Sequence, residues 1–247
     1  MRSDTDIAGV QSLVPVFSRS LGSWRLSVER RPLSQPDLAD RYDRKSGAWH
    51  RIIERHRFHH AYRDLMDRVM RHPRYQQTAH ELRVLDAGIG TGAMSSAFRQ
   101  QLGRRFRLNG IDISPAMLRQ AAVRLGGEDI DITLTGADLT SLPYDDCAFD
   151  VVLAAHVVEH LPEPQAALKE MFRVLKPGGI LICCITRPSA TGAYIQLMWR
   201  THQVARSTAV GWLDDCGFEM VRAFPLQKHT ASRRFSIGYV GRKPAGQ

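Results

Sequence analysis

Long apolar runs are missing from this sequence. No segment approaches the roughly 20 uninterrupted apolar residues that a membrane-crossing helix needs. An export signal is also missing: Asp4 and Asp6 stand where a leader would carry its apolar core, so the expectation is a soluble cytoplasmic protein. Cysteine is scarce, with Cys147, Cys183, Cys184 and Cys216 and no CxxC spacing, which excludes a disulfide scaffold. The adjacent pair sits in the apolar run 180–185 and predicts a reduced, buried strand. Aromatic residues make up 8% of the chain, so platforms for stacking nucleic-acid bases are few. Internal repeats and low-complexity tracts are absent.

What is present is a chain of 247 residues, 43% apolar and 24% charged. A chain of that length buries roughly 70–75% of its unfolded surface, enough for a sizeable core. The net charge is +9, and it is uneven. Residues 1–80 hold 15 Lys and Arg against 9 Asp and Glu, whereas residues 81–247 hold 19 against 16. A basic surface of this kind attracts anions, whether substrate, nucleic acid or lipid headgroup, and is equally compatible with plain solvation.

The pattern divides the chain near residue 80. Residues 1–80 read as a helical and irregular extension punctuated by Pro32 and Pro36. A long helical stretch runs from Ser46-Gly47 to about Arg71, where Pro73 stops it. Trp49, Ile53, His56 and His60 share one face of it, and Phe58, Tyr62, Leu65 and Val69 the other. From residue 82 strands and helices alternate. Strands are predicted at 82–86, 106–111, 131–135, 149–154, 179–185, 218–224 and 235–240, with helices of clear apolar periodicity between most of them. Repeated β-α-β order predicts an α/β, doubly wound, mostly parallel sheet covered on both faces, with residues 81–247 as the catalytic domain.

The strongest local signal is Val84-Leu-Asp-Ala-Gly-Ile-Gly-Thr-Gly92, a glycine-rich turn between a strand and a helix. Such a turn lets a ligand approach the backbone and places free helix N–H groups behind it. Asp112 ends the second strand, where a carboxylate can accept hydrogen bonds from both hydroxyls of a ribose, and Asp138 follows the third. Asp86, Asp112 and Asp138 thus lie at carboxyl ends of strands, where open α/β sheets bind ligands.

These segments resemble the class I S-adenosylmethionine-dependent methyltransferases, in their small-molecule type 11 branch. The pieces that carry the resemblance are 86–92, Gly110-Ile-Asp-Ile-Ser-Pro-Ala-Met-Leu118, Gly136-Ala-Asp-Leu139, 149–161 and Leu175-Lys-Pro-Gly-Gly179, in that order over roughly residues 80–240. The resemblance implies a Rossmann-like seven-stranded sheet with one antiparallel edge strand. It assigns Asp86, Gly88, Gly90 and Gly92 to the methionine moiety of the donor, Asp112 to its ribose, and Met117 to adenine packing. Asp138 and Leu139 would meet the adenine edge, Ile113 and Ala155 would complete the donor site, and His156 would lie beside the sulfonium as wall or base. The implied product is S-adenosylhomocysteine.

Two other motif readings are weaker. Gly88-x-Gly90-x-x-Ala93 fits a loose dinucleotide fingerprint, but Asp86, Gly92 and Asp138 favour the methyl donor. His156-Val-Val-Glu159-His160 matches an inverted zinc-peptidase pattern, yet it directly follows a buried strand, so no metal is expected and Glu159 and His160 are read as orienting the loop. Candidate acceptor contacts are Trp49, His60, Tyr194 and Trp199, with His202 in the same region and residues 37–72 as a lid. The expected partner is a small-molecule acceptor. An RNA methyltransferase, prompted by Arg51, Arg55, Arg57, Arg104, Arg105 and Arg107, and a non-enzymatic donor-binding module are the competing readings. Acceptor atom and oligomeric state are not written in these motifs.

Overall fold

A computed structural model describes residues 14–30, 37, 40, 43, 44, 47, 58–77, 81–103, 105–126, 131–188, 204–226 and 236–246. The chain divides into two compact units, Met1–Leu38 and Ala39–Gln247. The boundary therefore falls well before residue 80.

The first unit contains an antiparallel hairpin of β1 (Val14–Leu21) and β2 (Trp24–Arg30). This departs from the helical or irregular chain expected of residues 1–80. Its signal is the two-residue turn Gly22-Ser23: Gly22 takes φ +62, and glycine at the first central position is what a tight hairpin turn of matching twist asks for.

In the second unit, helical residues at 40, 43, 44 and 47 precede α1 (Phe58–Met70), which is followed by a short 3-10 turn at Pro73–Tyr75. The helix stops short of Pro73, as expected. β3 (Leu82–Ala87), α2 (Ala93–Leu102), β4 (Phe106–Asp112), α3 (Pro115–Leu125), β5 (Asp131–Gly136) and β6 (Phe149–Ala155) then alternate. A 3-10 turn at Val158–His160, α4 (Pro164–Val174), β7 (Leu175–Thr186), α5 (Arg206–Asp215), β8 (Glu219–Pro225) and β9 (Ser236–Arg242) complete the order. The sheet runs β5-β4-β3-β6-β7-β9-β8. All pairings are parallel except those of β9, which is antiparallel to both β7 and β8 and so lies one place in from the edge.

Side-chain alternation along each strand builds two cores. Val84, Leu108, Val151, Ile182 and Cys184 face α1, α2 and α3. Leu85, Ile111, Val152, Leu181 and Cys183 face α4 and α5. The adjacent cysteines thus point to opposite faces of one buried strand, which is what period-2 geometry requires. Helix α1 belongs to the first core: Phe58, Ala61, Tyr62, Leu65, Met66 and Val69 are all buried in it. Its close seat on β9 depends on Gly238, where a Cβ would stand 2.7 Å from Leu65. Arg68 donates to the carbonyl of Pro225 at 2.8 Å, and the Tyr75 hydroxyl to that of Met220 at 2.6 Å, tying this segment to β8.

Topology places the site. The strand order reverses between β3 and β6, so the loops after β3, β4, β5 and β6 open at the same end of the sheet. Ligands of doubly wound sheets bind at such a reversal.

Candidate active site

The turn after β3 is held from behind by the backbone of β4. Gly88 and Ile89 both donate N–H bonds to the carbonyl of Ile111, at 2.9 and 2.8 Å. Gly88 is also packed: a Cβ there would stand 2.6 Å from Val157. Gly90 differs. Its φ is +53 and a Cβ there would meet nothing nearer than 4.0 Å, so its outer face is open to a ligand. Gly92, at φ +74, is the N-cap of α2.

Asp112 locks this turn to the next one. One carboxylate oxygen accepts the Gly90 N–H and the other the Ser114 N–H, each at 2.9 Å. Ser114 caps α3 by accepting the Met117 N–H at 3.2 Å, with Pro115 in the first turn. Asp43, from the segment preceding α1, completes the junction by accepting from the Ser114 hydroxyl at 2.5 Å and the Ala116 N–H at 3.1 Å. Burial pushes the Asp112 carboxyl up to about 6 against the pull of the Ser114 and Gly90 N–H bonds, and the Asp43 charge adds to the rise.

Asp86 lies deeper, 1% exposed. One of its oxygens accepts the Ser95 hydroxyl at 2.5 Å, and the other, Oδ1, is buried with no hydrogen-bond partner. Burial raises this carboxyl to about 7; the Ser95 bond opposes that rise and the Asp112 charge adds to it. An unsatisfied buried carboxylate oxygen is costly, and a cationic ligand group is the natural partner for it. The open face of Gly90, the fixed Asp112 and the orphaned Asp86 oxygen together fit a ligand with a ribose and a positively charged end, which is the chemistry of an adenosyl sulfonium amino acid.

The remaining donor-site candidates follow the carboxyl ends of β4, β5 and β6. Ile113 follows β4, and Met117 is buried in the first turn of α3. Asp138 and Leu139 follow β5, where Asp138 accepts the Thr140 N–H at 2.9 Å and Leu139 packs into the second core. Ala155 ends β6 and His156 follows it.

His156 is buried and takes φ +54, a left-handed conformation uncommon outside glycine, secured by its N–H bond to the Cys184 carbonyl at 2.8 Å. Its Nδ1 lies 3.2 Å from Glu159 Oε1 and 3.3 Å from the Thr186 hydroxyl, and its Nε2 lies 3.4 Å from the Ser236 hydroxyl. The same Glu159 oxygen accepts the Thr186 N–H at 2.9 Å and the Thr186 hydroxyl at 2.8 Å, while Oε2 is buried without a partner. Burial pushes the Glu159 carboxyl up, but the hydrogen bond and charge of His156 and the charge of His160 outweigh it and hold the group below the usual carboxylate range. An ionised Glu159 takes the proton side of Nδ1, which leaves Nε2 as the accepting nitrogen. The Phe58 ring meets the His156 ring edge-on at 5.1 Å, and the Tyr62 ring lies at 6.4 Å.

Of the acceptor candidates, His60 is exposed on α1. Trp49, Tyr194, Trp199 and His202 lie outside the described residues. Of the pair read as orienting the loop, Glu159 is hydrogen-bonded to Thr186 and lies beside His156, and His160 is buried. Ser95, Thr186, Ser236 and Asp43 were not singled out by sequence, because serine, threonine and aspartate at isolated positions carry no pattern. Among the described residues no group of three His, Cys, Asp or Glu side chains is arranged to hold a metal ion.

The strand order is that of a doubly wound sheet, with Asp86 and Asp112 within the last two residues of β3 and β4 and Asp138 just beyond the end of β5. Residues 85–183 match the family described as the methyltransferase domain. The demethylmenaquinone methyltransferase of Staphylococcus epidermidis is 35% identical over 104 residues, which is 42% of this chain and 43% of that protein. The ubiquinone/menaquinone biosynthesis C-methyltransferase UbiE of Neisseria meningitidis is 37% identical over 100 residues, 40% of this chain and 41% of that one. The matches thus span less than half the length of these relatives. Among solved structures, the cyclase SpnF superposes with a TM-score of 0.65 at 19% identity, over 87% of this chain and 97% of that one. Phosphoethanolamine N-methyltransferase 2 of Haemonchus contortus, solved with S-adenosyl-L-methionine, superposes with a TM-score of 0.63 at 14% identity, over 89% and 62%.

Proposed function

We propose that the protein is an S-adenosylmethionine-dependent methyltransferase that acts on a small, flat, hydroxylated aromatic acceptor. The observation that carries the donor half is the buried, unpartnered Oδ1 of Asp86 beside the open face of Gly90 and the doubly anchored Asp112. Asp86 would hold the amino group of the donor, Asp112 its ribose hydroxyls, and Met117, Ile113, Asp138 and Leu139 its adenine. When bound, the donor supplies a methyl group on a cationic sulfur, already activated for in-line displacement.

The acceptor half rests on His156. Its ring is fixed by Glu159 on one side and bordered by Phe58 and Tyr62, an aromatic setting suited to a flat ring. With Nδ1–H directed at Glu159, Nε2 can take the proton of an acceptor hydroxyl. The electron pair so released makes the oxygen, or a ring carbon conjugated to it, the nucleophile. The curated relatives named above are quinone-pathway methyltransferases, which supports an acceptor of this class. Helix α1, which brings Phe58 and Tyr62 to His156, would form a wall of the acceptor site as part of the core, and the lid expected of residues 37–72 lies largely outside the described residues.

The test is transfer of labelled methyl from S-adenosylmethionine into extracts separated into small-molecule, nucleic-acid and protein fractions. Label in the phenolic small-molecule fraction is expected, with His156→Ala lowering turnover by about 100-fold while leaving donor affinity in place. Label confined to RNA, or donor binding with no transfer to any fraction, overturns this reading in favour of an RNA methyltransferase or a donor-binding module. Asp112→Ala is expected to weaken S-adenosylhomocysteine binding by at least about tenfold in calorimetry, from loss of charge-assisted hydrogen bonds.

A further inference from the structure

Large apolar side chains that remain exposed are few among the described residues: Leu21, Trp24, Leu26, Val123 and Met220. Three of these five sit on the tip of the β1–β2 hairpin, and Trp24 is 80% exposed. The register puts them together. Leu21 pairs with Trp24 across the turn, and Arg19 pairs with Leu26 one rung further back. Alternation along each strand places both rungs on the same face of the ribbon. The intervening pair, Ser20 with Arg25, faces the other way. Arg19 and Arg25 are themselves exposed, and residues 14–28 contain no acid.

We propose that this tip is a docking surface for an anionic lipid bilayer, with Leu21, Trp24 and Leu26 entering the headgroup layer and Arg19 and Arg25 pairing with lipid phosphates. Charge and shape select this occupant. A second copy of the chain would bring two basic tips together with no carboxylate between them. A nucleic acid would satisfy the arginines but offer the two leucines nothing, since phosphate and ribose are polar. A bilayer interface satisfies both: indole prefers the headgroup level, aliphatic side chains reach the acyl boundary, and arginines on the two faces of the ribbon meet an anionic surface. The proposal depends on the hairpin alone and not on the identity of the methyl acceptor.

The experiment is co-sedimentation of the full chain with vesicles of equal parts phosphatidylglycerol and phosphatidylcholine, and with vesicles of phosphatidylcholine alone. Binding to the anionic vesicles is expected, weakening as salt is raised, with little binding to the neutral ones. Trp24→Ser, and the pair Leu21→Ser with Leu26→Ser, should each lower partitioning by about tenfold. Arg19→Gln and Arg25→Gln should each lower it by about fivefold. Trp24→Phe should restore most of the binding, and all variants should keep the melting temperature of the parent because these side chains are exposed. Absence of binding to the anionic vesicles, or binding that the tip substitutions leave unchanged, overturns the proposal. So does RNA binding or self-association that depends on the same five residues in the absence of vesicle binding.

Discussion

Asp86 and Asp112 are the residues whose chemistry the fold alters most usefully. Both carboxyls are raised by burial, to about 7 and about 6; the Asp112 charge adds to the rise at Asp86, and the Asp43 charge to that at Asp112. A group raised in the folded state contributes stability that is complete below its unfolded value and lost as pH rises through the folded one. The unliganded protein is therefore expected to lose stability between about pH 4 and pH 8 from these two sites. A cationic donor reverses the sign, because it binds the ionised acids. Affinity for S-adenosylmethionine should fall as pH drops through 7 and 6, and the rise in melting temperature on adding it should be larger at pH 8 than at pH 6. Glu159 is the opposite case, held ionised by His156 and Thr186. Glu159→Gln removes the charge that fixes the histidine tautomer. Turnover should drop by about 100-fold with donor affinity little changed, and the pH at which turnover is half-maximal should move. At this scale the legible part of the site was the part encoded locally. The glycines, Asp86 and Asp112 announce themselves because turn geometry and strand ends impose residue types within a few positions. Thr186 and Ser236 acquire their roles only when distant strands meet, and Ser95 only when α2 folds back over β3, so their hydroxyls left no mark on the sequence.

Among the elements, helix α3 shows how a cap links donor chemistry to the amino-terminal part of the chain. Its first turn is satisfied internally by Ser114 and from outside by the Asp43 carboxylate, which also stands near Asp112. Asp43→Asn keeps an oxygen able to accept from Ser114 and Ala116 but removes the charge. It should shift the acid limb of donor binding to lower pH while leaving affinity at pH 8 close to that of the parent. Asp43→Ala removes the acceptor and should weaken donor binding at both pH values; a pH profile unchanged in Asp43→Asn would separate the cap from the carboxyl beside it. Strands and helices after residue 82 were readable because their apolar periods are strong. The β1–β2 hairpin was not, because its strands mix Ser and Arg with apolar residues and the cue reduces to Gly22-Ser23, a single dipeptide.

The molecule as a whole divides after Leu38, not near residue 80. Composition shifts at 80, but burial does not: α1 supplies six side chains to the core that the sheet shares with α2 and α3. Removing residues 1–38 should leave a folded chain with its donor affinity retained. Removing residues 1–72 should strip one face of the sheet and give an aggregating product, as far-ultraviolet circular dichroism and light scattering would report. Within the larger unit, Leu65→Ala should cost about 2–5 kcal/mol in chemical denaturation, because the side chain is fully buried against Gly238.

The seat of α1 on β8 and β9 also orders events in time. Arg68 and the carbonyl of Pro225 are separated by 157 residues of sequence, so α1 waits for β8 and β9 to be made before its seat is complete. During that interval the part of its apolar side seated on β9 is uncovered, and contacts of such long sequence separation form slowly. Released chains truncated before β9 should consequently bind chaperones or precipitate, while chains that contain it should fold. Pulse-chase labelling with chaperone capture of released chains would show engagement persisting in those that end before β9 and lost in those that contain it.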